Sequence, residues 1–205
     1  SSIHGIEDSD FIFLIGTNPR YEATMVNARI RKTFLKNNVK VFSLNDVGDL
    51  TYPYKSLNGK IEKIKEIIED NNEISTLIKN AKKPIVIFGQ SLLKSKSAKY
   101  VFESIKDYLI KNNKITKEWN SLNVLSNNAS TVGSLDLNIY STSSEHNEIF
   151  EKLKNNDFEV LYLLGQDNLK FKKKNEFIIY QGSHGDRGAE IADIILPGAA
   201  YTEQN

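Results

Sequence analysis

The sequence predicts an α/β fold in which parallel sheets are flanked by helices. Short apolar runs ending on glycine recur along the chain, and amphipathic helical patterns lie between them. Its 205 residues suit one large domain or two small α/β lobes. A chain of this size buries roughly 70% of the surface its unfolded form exposes, so a core needs neither disulfides nor a structural metal.

The first run, Phe11-Ile12-Phe13-Leu14-Ile15, stops at Gly16. Continuous rather than alternating hydrophobicity marks a strand buried on both faces, and glycine lets the backbone turn sharply after it. Residues 22–37 follow as a helix, with Ala23, Val26, Ile30 and Phe34 on one stripe and Arg29, Arg31, Lys32 and Lys36 largely elsewhere. Residues 39–43 read as the next strand. Ile61, Ile64, Ile67 and Ile68 then give a helix over 60–70, closed by the polar turn Asn71-Asn72. A second all-apolar strand, 84–88, ends at Gly89. Ala98, Val101, Phe102, Ile105 and Leu109 place a helix over 97–111. Helical stretches are expected at 119–131 and 145–155, with a turn at 111–113 and a loop at 140–144. Segment 112–144 shows no strand and reads as a crossover, which sets the lobes at 1–112 and 113–205. Strands close the chain at 160–164 before Gly165, at 177–181 before Gly182, and at 193–196 before Pro197-Gly198.

Composition excludes several functions. With 27 basic and 26 acidic residues the formal net charge is +1, which gives no electrostatic reason to expect nucleic acid or an anionic membrane as the main partner. The lysine run 170–174 reads as a solvated loop. The absence of cysteine rules out disulfides, thiolate zinc, Cys-ligated iron–sulfur clusters and cysteine nucleophiles within these residues. No apolar run approaches the roughly 20 residues that span a bilayer, so direct membrane insertion is not expected. The start has neither a signal-peptide nor a transit-peptide pattern and reads as the edge of something longer. Abundant Asn, Lys and Ile suggest an AT-rich genome, organellar or bacterial.

Ligands of open α/β sheets sit beyond the carboxyl ends of strands, which directs attention to two loops. Gly16-Thr17-Asn18-Pro19-Arg20 leads into a helix with Glu22 in its first turn. Thr17 and Asn18 can cap that helix and Pro19 fits an early position, while the same helix start could bind a phosphate. Capping alone and nucleotide binding both remain open here. The second loop, 182–190, carries Gly182, Gly185 and Gly188 around His184 and Asp186. It is neither a GxGxxG fingerprint nor a Walker A loop. His184 beside Asp186 permits acid–base or metal chemistry, against the simpler reading of a hydrogen-bonded loop histidine. Trp119 and the tyrosines read as core residues.

These segments resemble a family. GIEDSD followed by FIFLIGTNPRYEATMVNARIRK at 5–32 is similar to the large iron–sulfur subunit of respiratory complex I, and so is DLTYPY at 49–54. The strand KPIVIFG at 83–89 and the stretch Trp119-Asn120-Ser121-Leu122-Asn123-Val124-Leu125 with Ala129-Ser130, a helix in the expectation, match as well. IIYQGSHGDRGAEIADIILPGAAYTEQN at 178–205 is as long a match as the first. The resemblance covers nearly the whole chain in order.

The resemblance implies two Rossmann-like lobes of molybdopterin-oxidoreductase type. In the wider superfamily, loops corresponding to 16–20 and 182–193 approach a pterin–guanine dinucleotide. For the complex I branch it implies a relic of that site. No cofactor would be held by Gly16, Asn18, Gly182, His184 or Asp186, and no redox centre would lie in these residues. Iron–sulfur clusters are expected in an amino-terminal part of the subunit or a separate chain. The implied role is structural, within the peripheral arm of a proton-pumping NADH:quinone oxidoreductase, with other peripheral-arm subunits as partners. The implied location is the matrix side of the mitochondrial inner membrane, or the cytoplasmic side of a bacterial one. A fragment of a catalytic molybdopterin oxidoreductase is the alternative. Arg29, Arg31 and Lys32 are candidate interface residues, with ordinary solvation as the competing reading. Asp49, Tyr52, His184, Asp186 and Asp193 are expected to stabilise loops through hydrogen bonds to backbone.

Overall fold

The computed structural model describes residues 2–59, 61–126, 128, 130–140, 142–155, 157–169 and 171–203, without the side chains of Ile61 and Ser143. Two compact units form, Ser1–Gly133 and Ser134–Asn205.

The first unit is built on strands β1 (Phe11–Ile15), β2 (Lys40–Ser43), β3 (Lys55–Ser56), β4 (Pro84–Phe88) and β5 (Leu122–Val124). All pair in parallel, in the order β3-β2-β1-β4-β5. Every residue of β1 and β4 is buried, as their unbroken apolar runs require. Because side chains alternate along a strand, these two central strands feed two cores. Phe11, Phe13, Ile15, Val86 and Phe88 meet helices α3 (Ile61–Ile68), α4 (Glu73–Asn80) and α6 (Ala98–Lys111) through Ile64, Ile67, Ile74, Ile78, Val101, Ile105 and Leu109. Ile12, Leu14, Ile85 and Ile87 meet Val26 and Ile30 of helix α2 (Thr24–Asn37), together with Leu50 and Tyr52. A fully buried side chain of this kind contributes about 1.5–3 kcal/mol.

Several elements differ from the sequence reading. The helix expected over 22–37 is two helices, because a short α1 (Pro19–Glu22) ends at Ala23 before α2 begins. The turn at Asn71-Asn72 opens a further helix: Asn72 caps α4 by accepting the Ile74 N–H at 2.9 Å. The helix expected over 119–131 is replaced by β5, followed by α7 (Thr131–Asp136). The Val86 N–H donates to the Ser121 carbonyl and the Leu125 N–H to the Phe88 carbonyl, so this stretch returns to the sheet edge. Trp119 lies over the start of β4, its indole N–H donating to the Pro84 carbonyl at 2.9 Å. Segment 112–144 therefore does contain a strand, and the first compact unit runs on beyond residue 112. Ala129, and Lys170 of the lysine run, lie outside the described residues.

The second unit contains helix α8 (Ser143–Asn155), strands β6 (Val160–Leu164) and β7 (Phe177–Gly182), a short α9 (Arg187–Ile191), and β8 (Ile194–Pro197). The three strands are parallel in the order β6-β7-β8. On one face Ile178 and Tyr180 are buried. Ile149, Phe150 and Leu153 of α8 share an apolar cleft with Leu161 and Leu163 on that side of β6.

Candidate functional site

In the first unit the chain leaves β1 toward β2, while β4 pairs on the opposite side of β1. The carboxyl ends of β1 and β4 are therefore the switch point at which open α/β sheets bind ligands. Here the two loops pack on each other. Gly16 turns with φ +64°, and a Cβ there would sit 2.6 Å from the Leu92 Cβ. A Cβ on Gly89 would run into the Gly16 carbonyl. The Ser91 hydroxyl of helix α5 (Gln90–Leu93) donates to that same carbonyl.

The polar groups of the 16–20 loop are engaged within the chain. Asn18 caps α1, its side-chain oxygen accepting the Arg20 N–H at 3.0 Å. Its own N–H donates to one oxygen of the Glu22 carboxylate at 3.0 Å, and the buried Thr17 hydroxyl donates to the other at 3.0 Å. Glu22 thus stands where a bound phosphate would take up the loop donors. The side-chain amide of Asn18 reaches the Val47 carbonyl at 2.6 Å, and Arg20 pairs with the carboxylate of Asp49. Asp49 also accepts the Thr51 N–H at 2.7 Å, and these two bonds, the Thr51 one foremost, lower its carboxyl pKa. Asp46 is lowered as well, first by the Tyr54 hydroxyl and then by the Gly48 N–H. Beneath them the buried Tyr52 hydroxyl donates to Asn27 at 2.8 Å, and the Asn27 amide donates to the Leu50 carbonyl. Burial raises the Tyr52 phenol pKa.

The second loop repeats the arrangement with different residues. Tyr180 is buried under it, and a Cβ on Gly182 or Gly188 would collide with its ring or hydroxyl. The Tyr180 hydroxyl can donate to the Asp167 carboxylate at 3.0 Å or to the His184 carbonyl at 3.3 Å. Burial, then Asp167, raises its pKa. The other Asp167 oxygen accepts the Gly188 N–H at 3.0 Å. Asp186 precedes α9 but makes no side-chain capping bond; its carbonyl accepts the Ala189 and Glu190 N–H groups instead. His184 is exposed, with Nδ1 2.9 Å from the Ser183 hydroxyl. The loop is thus organised by Asp167 and Tyr180 rather than by the side chains of His184 and Asp186. Asp167 carries no motif; its position just past the glycine that ends β6 is the one signal that could have found it. Asp193 does anchor backbone, accepting the Ile178 N–H at 2.8 Å, and its pKa is lowered first by Lys173 and then by that bond.

The α2 basic residues divide. Arg29 pairs with Glu7 of the amino-terminal 3-10 turn His4–Asp8, and Lys32 joins at 2.8 Å. Lys32, then Arg29, brings the Glu7 carboxyl pKa down to about 2. Arg29 is half-buried in this contact, whereas Arg31 and Lys32 are exposed.

In each loop a carboxylate of the chain already accepts a backbone N–H, and Gly16, Gly182 and Gly188 are covered by Leu92 or Tyr180, whereas Gly185 faces open space. Among the described residues no three His, Cys, Asp or Glu side chains come together to hold a metal ion, and no helix is long and apolar enough to cross a membrane.

Comparison with known proteins agrees with this architecture. The chain is 42% identical over 203 residues to the NADH-ubiquinone oxidoreductase 75 kDa subunit of Reclinomonas americana, covering 97% of this chain and 29% of that protein. It is 37% identical to the mitochondrial NADH dehydrogenase [ubiquinone] iron-sulfur protein 1 of Solanum tuberosum and 38% identical to the mitochondrial 78 kDa subunit of Neurospora crassa. Each match takes in all of this chain and 27% of the relative. The chain therefore spans less than a third of the length of the relatives it matches. The family model of molybdopterin oxidoreductases matches residues 1–205, so the chain, with its parallel sheets and glycine-ended strands, belongs to the molybdopterin oxidoreductase family.

Proposed function

We propose that the chain is a structural module of the large iron–sulfur subunit in the peripheral arm of a proton-pumping NADH:quinone oxidoreductase. In this reading it lies on the matrix side of the mitochondrial inner membrane and carries no redox centre. The observation behind this is the self-satisfied loop. Glu22 takes the Thr17 hydroxyl and Asn18 N–H, and a carboxylate at that place repels a phosphate instead of leaving donors for it. The relatives' names supply the complex, and the cysteine-free sequence leaves cluster ligation to other parts of the polypeptide. Arg31 and Lys32, exposed on α2, are the residues offered to a neighbouring subunit.

Mass spectrometry of the native complex after denaturation tests this reading. Iron and flavin without molybdenum or pterin dinucleotide is the expected result. Stoichiometric molybdenum with pterin would overturn it in favour of a catalytic molybdopterin oxidoreductase.

A further inference from the structure

Helix α2 carries charge of one sign only. Arg29, Arg31, Lys32 and Lys36 lie along it with no carboxylate, whereas α3, α4, α6 and α8 each carry both signs. The chain as a whole is nearly neutral, at +1, so this is a local excess. Among the described residues Glu7 is the one carboxylate that reaches these cations. It pairs with Arg29 and Lys32, while Arg31 and Lys36 make no ion pair there.

The centre of the same face is apolar. Ala28 and Leu35 stand about two turns apart on one line of the helix. Leu35 is 72% exposed, and Met25 beside that line is 65% exposed. Arg31 flanks the line on one side, Lys32 and Lys36 on the other. A shallow hollow here is lined by Ala28, Arg31, Lys32, Leu35 and Lys36. The first four occupy positions i, i+3, i+4 and i+7, the four-residue hole into which a facing helix inserts a side chain. Ala28 keeps its floor low, Leu35 closes one end with carbon, and the cations form its rims.

Charge decides among the occupants. A second copy of this face would set cations against cations, which costs association energy. A lipid surface needs a broad apolar face, and Leu35 and Met25 are the only large apolar side chains exposed along α2 among the described residues. We propose that this face of α2 docks an acidic amphipathic helix of a neighbouring subunit. One apolar side chain of that helix enters the hollow over Ala28, and carboxylates flanking it meet Arg31 on one rim and Lys32 and Lys36 on the other. The proposal rests on the reading of the chain as a module of a larger complex and gives the chemistry of its partner, but does not depend on whether a pterin is bound.

The test treats the native complex, with the full-length subunit, with a water-soluble carbodiimide, which joins a lysine amine to a carboxylate in contact with it. Sequencing of the joined peptides is expected to connect Lys36 to an Asp or Glu of another subunit, with an apolar residue three or four positions away. Arg31→Glu sets like charges face to face and is expected to lower the yield of that product at least about tenfold. Ala28→Leu fills the hollow with every charge kept and should lower it as well, whereas Ala28→Ser should not. The link between Lys32 and Glu7 within the chain reports that each variant has folded. The proposal is overturned if Lys36 joins no other subunit, or if the product persists in either Arg31→Glu or Ala28→Leu. Binding of the full-length subunit to vesicles of phosphatidylcholine and phosphatidylglycerol, abolished by Arg31→Glu, would overturn it in favour of a lipid surface. Metal and pterin analysis of the same complex tests the functional reading separately.

Discussion

A carboxylate that accepts a hydroxyl and a backbone N–H together, as Glu22 does, holds a loop closed only while both donors lack water as an alternative. Thr17 is 2% exposed, so its hydroxyl meets the condition, while Asn18 is half-buried. Glu22→Ala is expected to cost about 1–3 kcal/mol in denaturant unfolding, the penalty for unpaired buried donors, and Glu22→Gln less. Ser43 presents the opposite case. Its hydroxyl is buried with no hydrogen-bond partner among the described residues. Ser43→Ala removes an uncompensated polar group and is expected to raise stability by about 1 kcal/mol; a loss of stability would mean that the hydroxyl has a hydrogen-bond partner. Glu7 gives a pH dependence. Its pKa falls from 4.5 to about 2 because Lys32 and Arg29 favour the charged form. A carboxyl lowered by folding stabilises the fold fully above its ordinary value and progressively less as pH falls through its folded value. The stability difference between wild type and Glu7→Gln should therefore hold at neutral pH and shrink between pH 4.5 and about 2.

Elements follow from how much information each carries. Gly89 sits where the loops after β1 and β4 touch, and any Cβ meets the Gly16 carbonyl, which belongs to backbone and cannot swing aside. Gly89→Ala is expected to destabilise by about 1–3 kcal/mol, the usual cost of overpacking, while the exposed Gly185→Ala stays near neutral; thermal denaturation compares them. The same logic explains what the sequence revealed. Strands β1, β4 and β6 are unbroken apolar runs, β7 opens with four apolar residues, and the isoleucine stripe announced α3, because each pattern is long enough to show. Strand β5 has three residues, one of them Asn123, and β3 has two, Lys55 and Ser56, too few to show alternation. Their pairing is fixed by the neighbouring strand, which a local pattern cannot report. The 16–20 loop was legible because Asn18 and Pro19 are strong helix-start residues. Asp167 was not, since its partners Tyr180 and Gly188 lie 13 and 21 positions away and only the fold unites them.

At the scale of the molecule the two units differ in how their sheets are closed. The first has five strands with a packed core on each face. The second has three strands, one face open, and all of β8 exposed. Local stability follows buried apolar contacts, so the units should open independently and at different free energies. In the 205-residue chain, native-state hydrogen exchange is expected to show the strongest protection at Ile12–Leu14 and Ile85–Ile87. Amides of β6 and β8 should exchange at least about tenfold faster after correction for intrinsic rates, a gap of roughly 1.4 kcal/mol or more. Equal protection across both sheets would mean that the open apolar face costs the second unit nothing, and the link drawn between face coverage and stability would be wrong. Protection rising in the second unit alone when the rest of the polypeptide is present would show that this unit depends on chain beyond these residues, whereas the first supplies its own core.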